Sequence, residues 1–469
     1  MVESFFYVVE TFSQWLWGPW TMAFIAFVSI YLTVKSRFFQ LRHFQFIFSH
    51  TLNRIFYKHK NSSASTISPF QATSASLAGT VGMGNMAGVA TALSIGGPGA
   101  IFWMWVMAFF GMITKAAEIS IAVHYREIDA EGNIHGGPMY YIRKALGWKT
   151  LTVFFSIGII INCIFTSSLL QAHTVGRALE ASYGINPYLT TSIMGLITMM
   201  VAIGGIRRIG RFCEALVPLM TLVYLMSGLL IVIANFSLIP QALGEILNYA
   251  FAPAPAIGGF AGAAVMTAIQ IGMARGMLSN EAGLGTAPMI HANAETEHPF
   301  QQGLWGAAEV FIDTTVVCTI TALIILCSGV LANGSSGIEL LLEGFATYYS
   351  PMAANAIISI AIVTFCLSTQ IGFFVYFETA LVDLFNQRIF GIIKWLYFLP
   401  GIIFAGITNV DQLWVLANIS VALSALPNLV ALLFLSGVFV KLMRDYMSGE
   451  KKYSTKLTDE NKQYIKVAE

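Results

Sequence analysis

Long apolar runs recur along the chain and are separated by polar connections. A helix crosses the hydrocarbon core of a bilayer with about 20 apolar residues, and eleven runs of this kind can be found. They lie near residues 17–34, 70–95, 99–124, 151–173, 188–205, 213–234, 259–279, 304–331, 353–382, 391–407 and 412–440. The pattern predicts an all-α polytopic membrane protein with about 11 transmembrane helices.

Composition supports a membrane protein and argues against several other classes. Of the 469 residues, 56% are apolar and 10% are charged, whereas about a quarter of the residues in a soluble domain are charged. A net charge of +1 does not fit a strongly basic nucleic-acid-binding protein, so a lipid bilayer is the expected partner and nucleic acid is not. The sequence has no HExxH, GxSxG or CxxC motif, and we predict that the protein is not an enzyme.

The basic residues predict the orientation of the chain in the membrane. Of the 25 Lys and Arg residues, 22 fall in connections that the eleven spans place on one side, and the opposite connections contain only Arg177. The basic connections are 35–60, 126–149, 207–211, 388–394 and the residues from Lys441 onward. By the positive-inside rule, the N-terminus is outside and the C-terminus is cytoplasmic. The expected location is a bacterial inner (plasma) membrane, with 451–469 as a polar cytoplasmic tail.

A glycine-rich interruption lies in the middle of the second span. Residues 79–88 (GTVGMGNMAG) include four glycines, and each Gly weakens a helix by roughly 1 kcal/mol relative to Ala. Residues 82–87 also fit a GxGxxA dinucleotide-binding motif, but that motif requires a preceding strand in a βαβ unit. Close helix packing through small residues is the other explanation, yet it does not account for Thr80 and Asn85 at mid-bilayer depth.

The seventh span has a matching interruption at 270–281 (QIGMARGMLSNE), which runs into Gly283 and Gly285. Five helices lead from the first interruption to the second, and this odd number makes the second block start from the opposite side. Such a pattern is expected of five-helix inverted repeats with two discontinuous helices. We predict one transmembrane domain at 1–450, made of an extra N-terminal helix (17–34), a first repeat (70–234) and a second repeat (259–440).

Two broken helices indicate a binding site for a small zwitterion and a cation. Unwound backbone is tolerated within a membrane only where protein or a water-filled cavity surrounds it. The freed amides and half-helix N-termini suit a carboxylate, and the freed carbonyls suit a cation. Glycine-rich backbone can also line a passive channel, but the inverted pairing of two broken helices favours alternating access.

Two carboxylates lie four residues apart in the eighth span, Glu309 and Asp313. Charged groups inside a membrane are costly and usually functional. Because Glu309 is closer to the predicted cytoplasmic end, Asp313 is the candidate for a second cation or proton site.

Other charged side chains in the spans have structural or gating interpretations. Lys115 and Glu118 lie three residues apart on one helix and are expected to form a structural pair. Arg275 is expected near a gate, where Glu281 and Glu378 are possible partners.

Several uncharged residues are candidates for contact with the substrate. Gln171 and Gln270 are able to hydrogen-bond a ligand, although packing alone is the alternative for each. Met83 and Met273 would form an adaptable apolar wall. The candidates in the seventh span are Gln270, Gly272, Met273 and Gly276.

Three long motifs resemble the alanine/glycine:cation symporter family, which has a leucine-transporter-like fold. They are TVGMGNMAGVATALSIGGPGAIFWMWV (80–106), GGPMYYI (136–142) and ARGMLSNEAGLGTAP (274–288). The resemblance implies sodium- or proton-driven uptake of alanine, glycine or another small neutral amino acid, with no cofactor besides sodium as the coupling ion. A symporter of another small neutral solute such as glutamine, or a passive channel, is the alternative.

The resemblance extends to the first core helix of the leucine transporter, in which TVGMGN is similar to AVGLGN. It implies that the backbone of Thr80, Val81, Gly82 and Met83 receives the substrate carboxylate or an ion. It also implies that Asn85 offers its side-chain oxygen to a cation.

A hydroxyl-bearing stretch in the ninth span, 365–369 (FCLST), is similar to one that completes a sodium site in the same fold. The resemblance implies a cation site formed by Phe365, Ser368 and Thr369 with the carbonyls of Ala78 and Val81. Hard cations prefer such oxygen ligands. The alternative is that both hydroxyls bond back to the preceding helical turn.

Two residues depart from the family pattern. Met83 stands where Thr or Ser is usual, and His173 stands where Asn is usual after Gln171. Both positions lie near the expected substrate and therefore bear on the preference for alanine or glycine.

The asymmetry of basic residues gives a testable topology. Reporter fusions after Lys60 and after Lys452 are both expected to give a cytoplasmic signal, because both points lie in connections rich in Lys and Arg. A fusion after Gly334, in a connection without basic residues, serves as the external control. An external signal at either basic site would contradict the eleven-span topology and the inverted repeat built on it.

Overall fold

The computed structural model describes residues 2–54, 66–129, 132–254, 264–385, 387–405, 410–450 and 452–453. The predicted tail at 451–469, apart from 452–453, and the first residues of the second repeat lie outside this part of the chain. Up to residue 254 the helices are α1 (Val2–Leu16), α2 (Pro19–Lys35), α3 (Phe39–Arg42), α4 (Phe44–Thr51), α5 (Pro69–Thr80), α6 (Val89–Gly96), α7 (Gly99–Tyr125), α8 (Pro138–Tyr141), α9 (Lys149–Asn162), α10 (Leu170–Tyr183), α11 (Pro187–Ala202), α12 (Gly205–Ala234) and α13 (Ile239–Tyr249).

The second half is equally helical, which confirms the predicted all-α class, while the inverted-repeat layout stays a prediction. Its helices are α14 (Val265–Asn280), α15 (Ala287–His291), α16 (Pro299–Val310), α17 (Thr319–Ser328), α18 (Gly337–Ala346), α19 (Pro351–Leu384), α20 (Gln387–Ile393), α21 (Leu399–Ile403) and α22 (Val410–Ser448). Short π-helical segments join α9 to α10 (Cys163–Leu169) and α16 to α17 (Phe311–Cys318). Strands β1 (Glu127–Ile128) and β2 (Ile134–His135) form an antiparallel hairpin between α7 and α8.

Seven helical stretches among the described residues are long and apolar enough to cross a membrane. They are Tyr7–Lys35, Gly99–Tyr125, Lys149–Tyr183, Gly205–Ala234, Pro299–Ser328, Pro351–Leu384 and Leu413–Ser448. The predicted span at 70–95 coincides with the first broken helix, the described part of the span at 259–279 with α14, and the span at 188–205 with the shorter apolar helix α11. In the described part of the span at 391–407, the chain forms the end of α20, a 3-10 turn and α21. The number of eleven spans therefore stays a prediction.

The first broken helix is interrupted where its glycines predict. Ser68 caps α5, since its hydroxyl accepts from the amide of Gln71 at 3.1 Å and the Gln71 side chain accepts from the amide of Ser68 at 3.0 Å. The helix stops after Thr80, because Val81 adopts an extended conformation (φ −72°, ψ 97°). A π-helical turn at Gly84–Gly88 then leads into α6.

The second interruption lies later in the chain than the sequence indicates. Helix α14 is continuous through Asn280, and Glu281 leaves it with a left-handed backbone (φ +55°). Its glycines serve close packing instead: a Cβ on Gly272 would lie 2.3 Å from the carbonyl oxygen of Ala100 in α7. The break therefore begins at Glu281 rather than at Gln270, and runs to the start of α15.

A fully buried ion pair joins four helices beside the second break. The ammonium of Lys115 in α7 lies 2.8 Å from Oε1 of Glu309 in α16, and both side chains are 0% exposed. The same carboxylate accepts a hydrogen bond from Ser76 in α5 at 2.7 Å and lies 3.2 Å from Nε2 of His291 in α15. The expected pairing of Lys115 with Glu118 is therefore wrong. Spacing along one helix could not reveal a partner 194 residues away.

Removing one member of this pair is predicted to destabilise the protein more than removing both. Lys115→Met or Glu309→Gln leaves a buried charge without its counter-ion, which we expect to lower the free energy of unfolding by about 3–5 kcal/mol. The double variant buries neither charge and is expected to recover part of that loss. Thermal unfolding of the purified protein and its three variants in detergent measures the coupling.

The partly exposed pair Arg177 and Glu180, 2.6 Å apart, is the control. The same cycle with Arg177→Met and Glu180→Gln is expected to give a coupling of about 0–1 kcal/mol. Additive losses from the Lys115 and Glu309 changes would contradict a coupled ion pair.

Candidate functional site

One cavity lies between the two helix breaks. The first broken helix contributes Gly79, Thr80, Gly82, Met83 and Gly84 to its lining, and the second contributes Leu278, Glu281 and Leu284. Residues from α9, α10, α19 and α22 complete the wall. The breaks approach closely, since a Cβ on Gly84 would lie 3.5 Å from Cα of Ser279 at the end of α14.

Asn85 connects the first break to Ser279 at the end of α14 and to Asp313 in the π-helical segment between α16 and α17. Its Oδ1 accepts a hydrogen bond from the amide of Gly82 at 2.9 Å, so a side chain satisfies one of the amides freed by the interruption. Its Nδ2 donates to Oδ1 of Asp313 at 2.8 Å and to the hydroxyl of Ser279 at 3.1 Å. Three segments far apart in the sequence are thus brought together around one buried amide.

Asp313 is the centre of a cluster rich in oxygen atoms. The hydroxyls of Ser279 and Thr314 donate to its Oδ2 at 2.6 and 2.8 Å, and its side chain is fully buried. The described residues give it no salt bridge. Carboxylate and hydroxyl oxygens are ligands that hard cations prefer. The assignment of Asp313 and Asn85 to a cation site stays a prediction, now with Ser279 as a neighbour that the sequence did not single out.

The hydroxyl pair of α19 faces the first break. Ser368 Oγ lies 3.4 Å from the carbonyl oxygen of Ala78 and 2.8 Å from that of Phe365. Thr369 Oγ1 donates to the same Phe365 carbonyl at 2.9 Å and would lie 2.8 Å from a Cβ on Gly82. The two hydroxyls therefore lie close to the first broken helix, as predicted, and also bond back to the preceding turn of α19, as in the alternative.

Four of the predicted substrate contacts, Thr80, Gly82, Met83 and Gln171, line the cavity. Gln171 Oε1 is buried and has no hydrogen-bond partner among the described residues, which leaves it free for a ligand. The sulfur of Met83 lies 2.9 Å from the hydroxyl of Thr174. His173 is also buried, in the same helix as Gln171.

The predicted contacts of the seventh span lie before the break instead. Among the described residues, the cavity lining does not include the predicted contacts Gln270, Gly272, Met273 and Gly276. It also does not include Val81 of the first break. Gly272 and Gly276 pack on α7, where a Cβ at Gly276 would lie 3.1 Å from Cβ of Met107. Their role in binding stays a prediction that the cavity does not support.

Glu281 and Trp414 are among the cavity residues that the sequence analysis did not assign to the site. Glu281 is 5% exposed, lines the cavity and accepts a hydrogen bond from the hydroxyl of Thr286 at 2.6 Å. The guanidinium of Arg275 lies over the Trp414 ring, 5.2 Å from its centroid. The described structure shows no salt bridge from Arg275 to Glu281 or Glu378, so the expected pairing is wrong. A charged residue at the end of an interruption was the available signal for Glu281.

Solved transporter structures share this fold. A manganese transporter of Eremococcus coleocola aligns with a TM-score of 0.55 and 14% identity, over 87% of this chain and 92% of that one. The transporter MhsT, solved in complex with L-phenylalanine, aligns with a TM-score of 0.53 and 11% identity, over 81% and 98%. At these identities the likeness supports the leucine-transporter-like fold alone.

Relatives in sequence are much more similar. The sodium/alanine symporter AgcS of Methanococcus maripaludis is 37% identical over 447 residues, which cover 93% of this chain and 96% of that protein. The uncharacterized transporter YflA of Bacillus subtilis is 37% identical, over 95% and 94%. The probable sodium/glutamine symporter GlnT of Bacillus subtilis is 32% identical, over 95% and 91%.

The family assignment follows from nearly the whole chain rather than from a single motif. The profile of the sodium:alanine symporter family matches residues 2–460, which include both broken helices and the cavity between them. The resemblance first noted in three motifs is confirmed, and the protein is a multi-pass membrane transporter that belongs to the sodium:alanine symporter family.

Proposed function

We propose that this protein is a secondary active symporter that couples inward sodium flux to uptake of a small neutral amino acid, such as alanine or glycine, by alternating access. The observation that carries the proposal is the meeting of two helix breaks at one cavity, with the buried cluster of Asn85, Ser279 and Asp313 directly behind them. The names of relatives such as the sodium/alanine symporter support it.

The cavity suits a small substrate with an uncharged side chain. Met83, Leu170 and Trp414 give it an apolar wall, while Thr80 and Gln171 add polar groups. The backbone of Thr80 to Met83, of which the Gly82 amide is bonded to Asn85, is the proposed place for the carboxylate of an amino acid. Because Met83 replaces the hydroxyl residue usual in the family, side chains larger than a methyl group, including that of glutamine, belong in any test of selectivity.

Two places are suited to cations. At Asp313 a carboxylate that lacks an ion-pair partner among the described residues would be neutralised by sodium or by a proton. Between α5 and α19, the hydroxyls of Ser368 and Thr369 and the carbonyl of Ala78 offer uncharged oxygens that suit sodium. No cofactor besides the coupling ion is required by this mechanism.

The proposed direction of transport rests on the predicted orientation. With the N-terminus outside and the C-terminus cytoplasmic in a bacterial inner membrane, α5 and α15 form the cytoplasmic halves of the broken helices. The substrate would then leave the cavity toward these two helices.

Uptake by purified protein in proteoliposomes tests the proposal. We expect an inward sodium gradient to drive accumulation of labelled alanine or glycine above the external concentration, and unlabelled substrate inside to accelerate exchange. Labelled glutamine and an imposed proton gradient test the alternative substrate and ion. Equilibration without accumulation and without exchange would instead indicate a passive channel.

The hydroxyl pair of α19 is predicted to contribute to sodium affinity. The double change Ser368→Ala with Thr369→Ala removes two oxygens, and a hydrogen-bonding group is worth about 1.5–3 kcal/mol when its partner is charged. We expect the sodium concentration for half-maximal uptake to rise at least about tenfold, with a smaller change in maximal rate. Sodium titration of uptake measures it.

Thr364→Ala is the matched control for this experiment. Thr364 lies one turn earlier in α19, and its hydroxyl also donates to a carbonyl of the preceding turn, that of Ile360, at 2.7 Å. It is outside the site, so sodium dependence should be unchanged. Unchanged sodium dependence in the double variant would place the ion elsewhere, with Asp313 the next candidate.

A further inference from the structure

We infer that Glu281 receives the ammonium group of the substrate and makes the transporter select for amino acids over other small carboxylic acids. This assignment rests on the proposed function and adds a specific role to a residue of the same cavity. It is carried by three independent observations, which concern the backbone of Glu281, the position of its carboxylate and the charges around it.

The backbone of Glu281 has a conformation that favours another residue. Its φ of +55° is in the left-handed region, which Arg37 and Phe38 alone share among the described residues other than glycine. The same break has glycines at two further positions of positive φ, Gly283 and Gly285. A helix end of this kind is most often occupied by glycine. A glutamate held there against backbone preference indicates that its side chain is needed.

Glu281 is part of the cavity wall, and its carboxylate has a fixed hydrogen-bond partner. Glu281 lines the cavity together with Thr80, Gly82 and Met83, the residues that would bind the substrate carboxylate. The hydroxyl of Thr286 donates to Glu281 Oε2 at 2.6 Å and fixes the orientation of the group. An ionised carboxylate has about four lone-pair sites, so one such bond leaves room for a cationic donor.

The nearby cations are already engaged elsewhere. Lys115 pairs with Glu309 at 2.8 Å and donates to the carbonyl oxygen of Asn280 at 2.8 Å. Arg275 lies over the Trp414 ring, and it precedes Glu281 by six residues, or about 9 Å along the axis of a helix. The described part of the chain gives Glu281 no salt bridge. Since buried charges are normally paired, a mobile cation is the expected partner.

The ammonium of an amino acid fits this place better than sodium does. Asp313 and the hydroxyls of α19 already provide two oxygen-rich places for cations; Asp313 and Ser368 do not line the cavity, and Thr369 reaches its wall. Glu281 shares the cavity wall with the residues proposed to bind substrate. A zwitterion bound with its carboxylate at the first break and its ammonium at the second would connect the two broken helices through its own charges.

The test compares amino acids with analogues in which a hydroxyl replaces the ammonium group. Alanine is compared with lactate, glycine with glycolate and glutamine with its 2-hydroxy analogue, by calorimetry on purified protein in saturating sodium and again without sodium. The wild type should bind one of these amino acids much more tightly than its analogue. Glu281→Gln keeps the size of the side chain and an acceptor for Thr286, but removes the charge. Its affinity for the amino acid should fall by about 30-fold or more, while affinity for the analogue changes little.

Two further variants separate recognition from folding. Glu281→Gly suits the positive φ and should fold at least as well as the wild type, yet it should lose the same discrimination. Glu118→Gln removes another carboxylate beside the break, one that accepts from Asn428 at 2.8 Å and is absent from the described lining of the cavity. It should keep the discrimination. Binding of radioactive sodium by each variant shows that the ion sites are intact.

The outcomes are distinct. Loss of discrimination in both Glu281 variants, with sodium binding kept, supports the assignment. If Glu281→Gln and Glu281→Gly keep the wild-type ratio of affinities, or if Glu118→Gln lowers that ratio equally, the role of Glu281 is refuted while the proposed function stands. If the wild type binds none of the three amino acids in a sodium-dependent manner, both the proposed function and this role are refuted.

Discussion

The constraint on which the structure depends is that backbone freed within a membrane must find partners from the protein itself, because the hydrocarbon supplies none. Side chains meet this need at both breaks. Asn85 accepts from the amide of Gly82 at the first break. At the second, Lys115 donates to the carbonyl of Asn280, and Asn428 donates to that of Gly283. The polar residues that look misplaced in a membrane sequence are therefore the ones that make the breaks possible.

The same side chains connect the breaks to the charged groups behind them. Asn85 holds the Gly82 amide with one end of its amide group and the Asp313 carboxylate with the other. Under the proposed function, a cation at Asp313 and a substrate carboxylate at the first break would share this one side chain. Binding of the cation would then alter the geometry of the substrate site, and binding of the substrate would alter that of the cation site. The two binding events would be coupled directly through Asn85.

The sequence predicts features that follow from residues which are unfavourable in a membrane helix, such as clustered glycines and charged groups. It does not predict features that depend on partners distant in the chain. Four glycines and two polar residues in a membrane helix predicted the position of the first break, which begins after Thr80. The unfavourable burial of a carboxylate in a membrane indicated Asp313 as a candidate. Gly272 and Gly276 misled because a glycine permits either unwinding or close packing, and only the position of α7 decides between them. The partner of Lys115 could not be read from spacing, since Glu309 lies on another helix.

The contacts between helices differ in strength around the first broken helix. Glu309 connects α5, α7, α15 and α16 through one buried carboxylate. Separating α7 from α16 would leave two buried charges unpaired, and separating α5 or α15 would break a buried hydrogen bond. The link from α5 to α19 is weaker, with Ser368 Oγ 3.4 Å from the Ala78 carbonyl. A cation bound there would draw both oxygens together, and its release would loosen only this contact. In the proposed mechanism, sodium therefore acts at the contact between α5 and α19, while the ion pair of Lys115 and Glu309 holds α7 and α16 together.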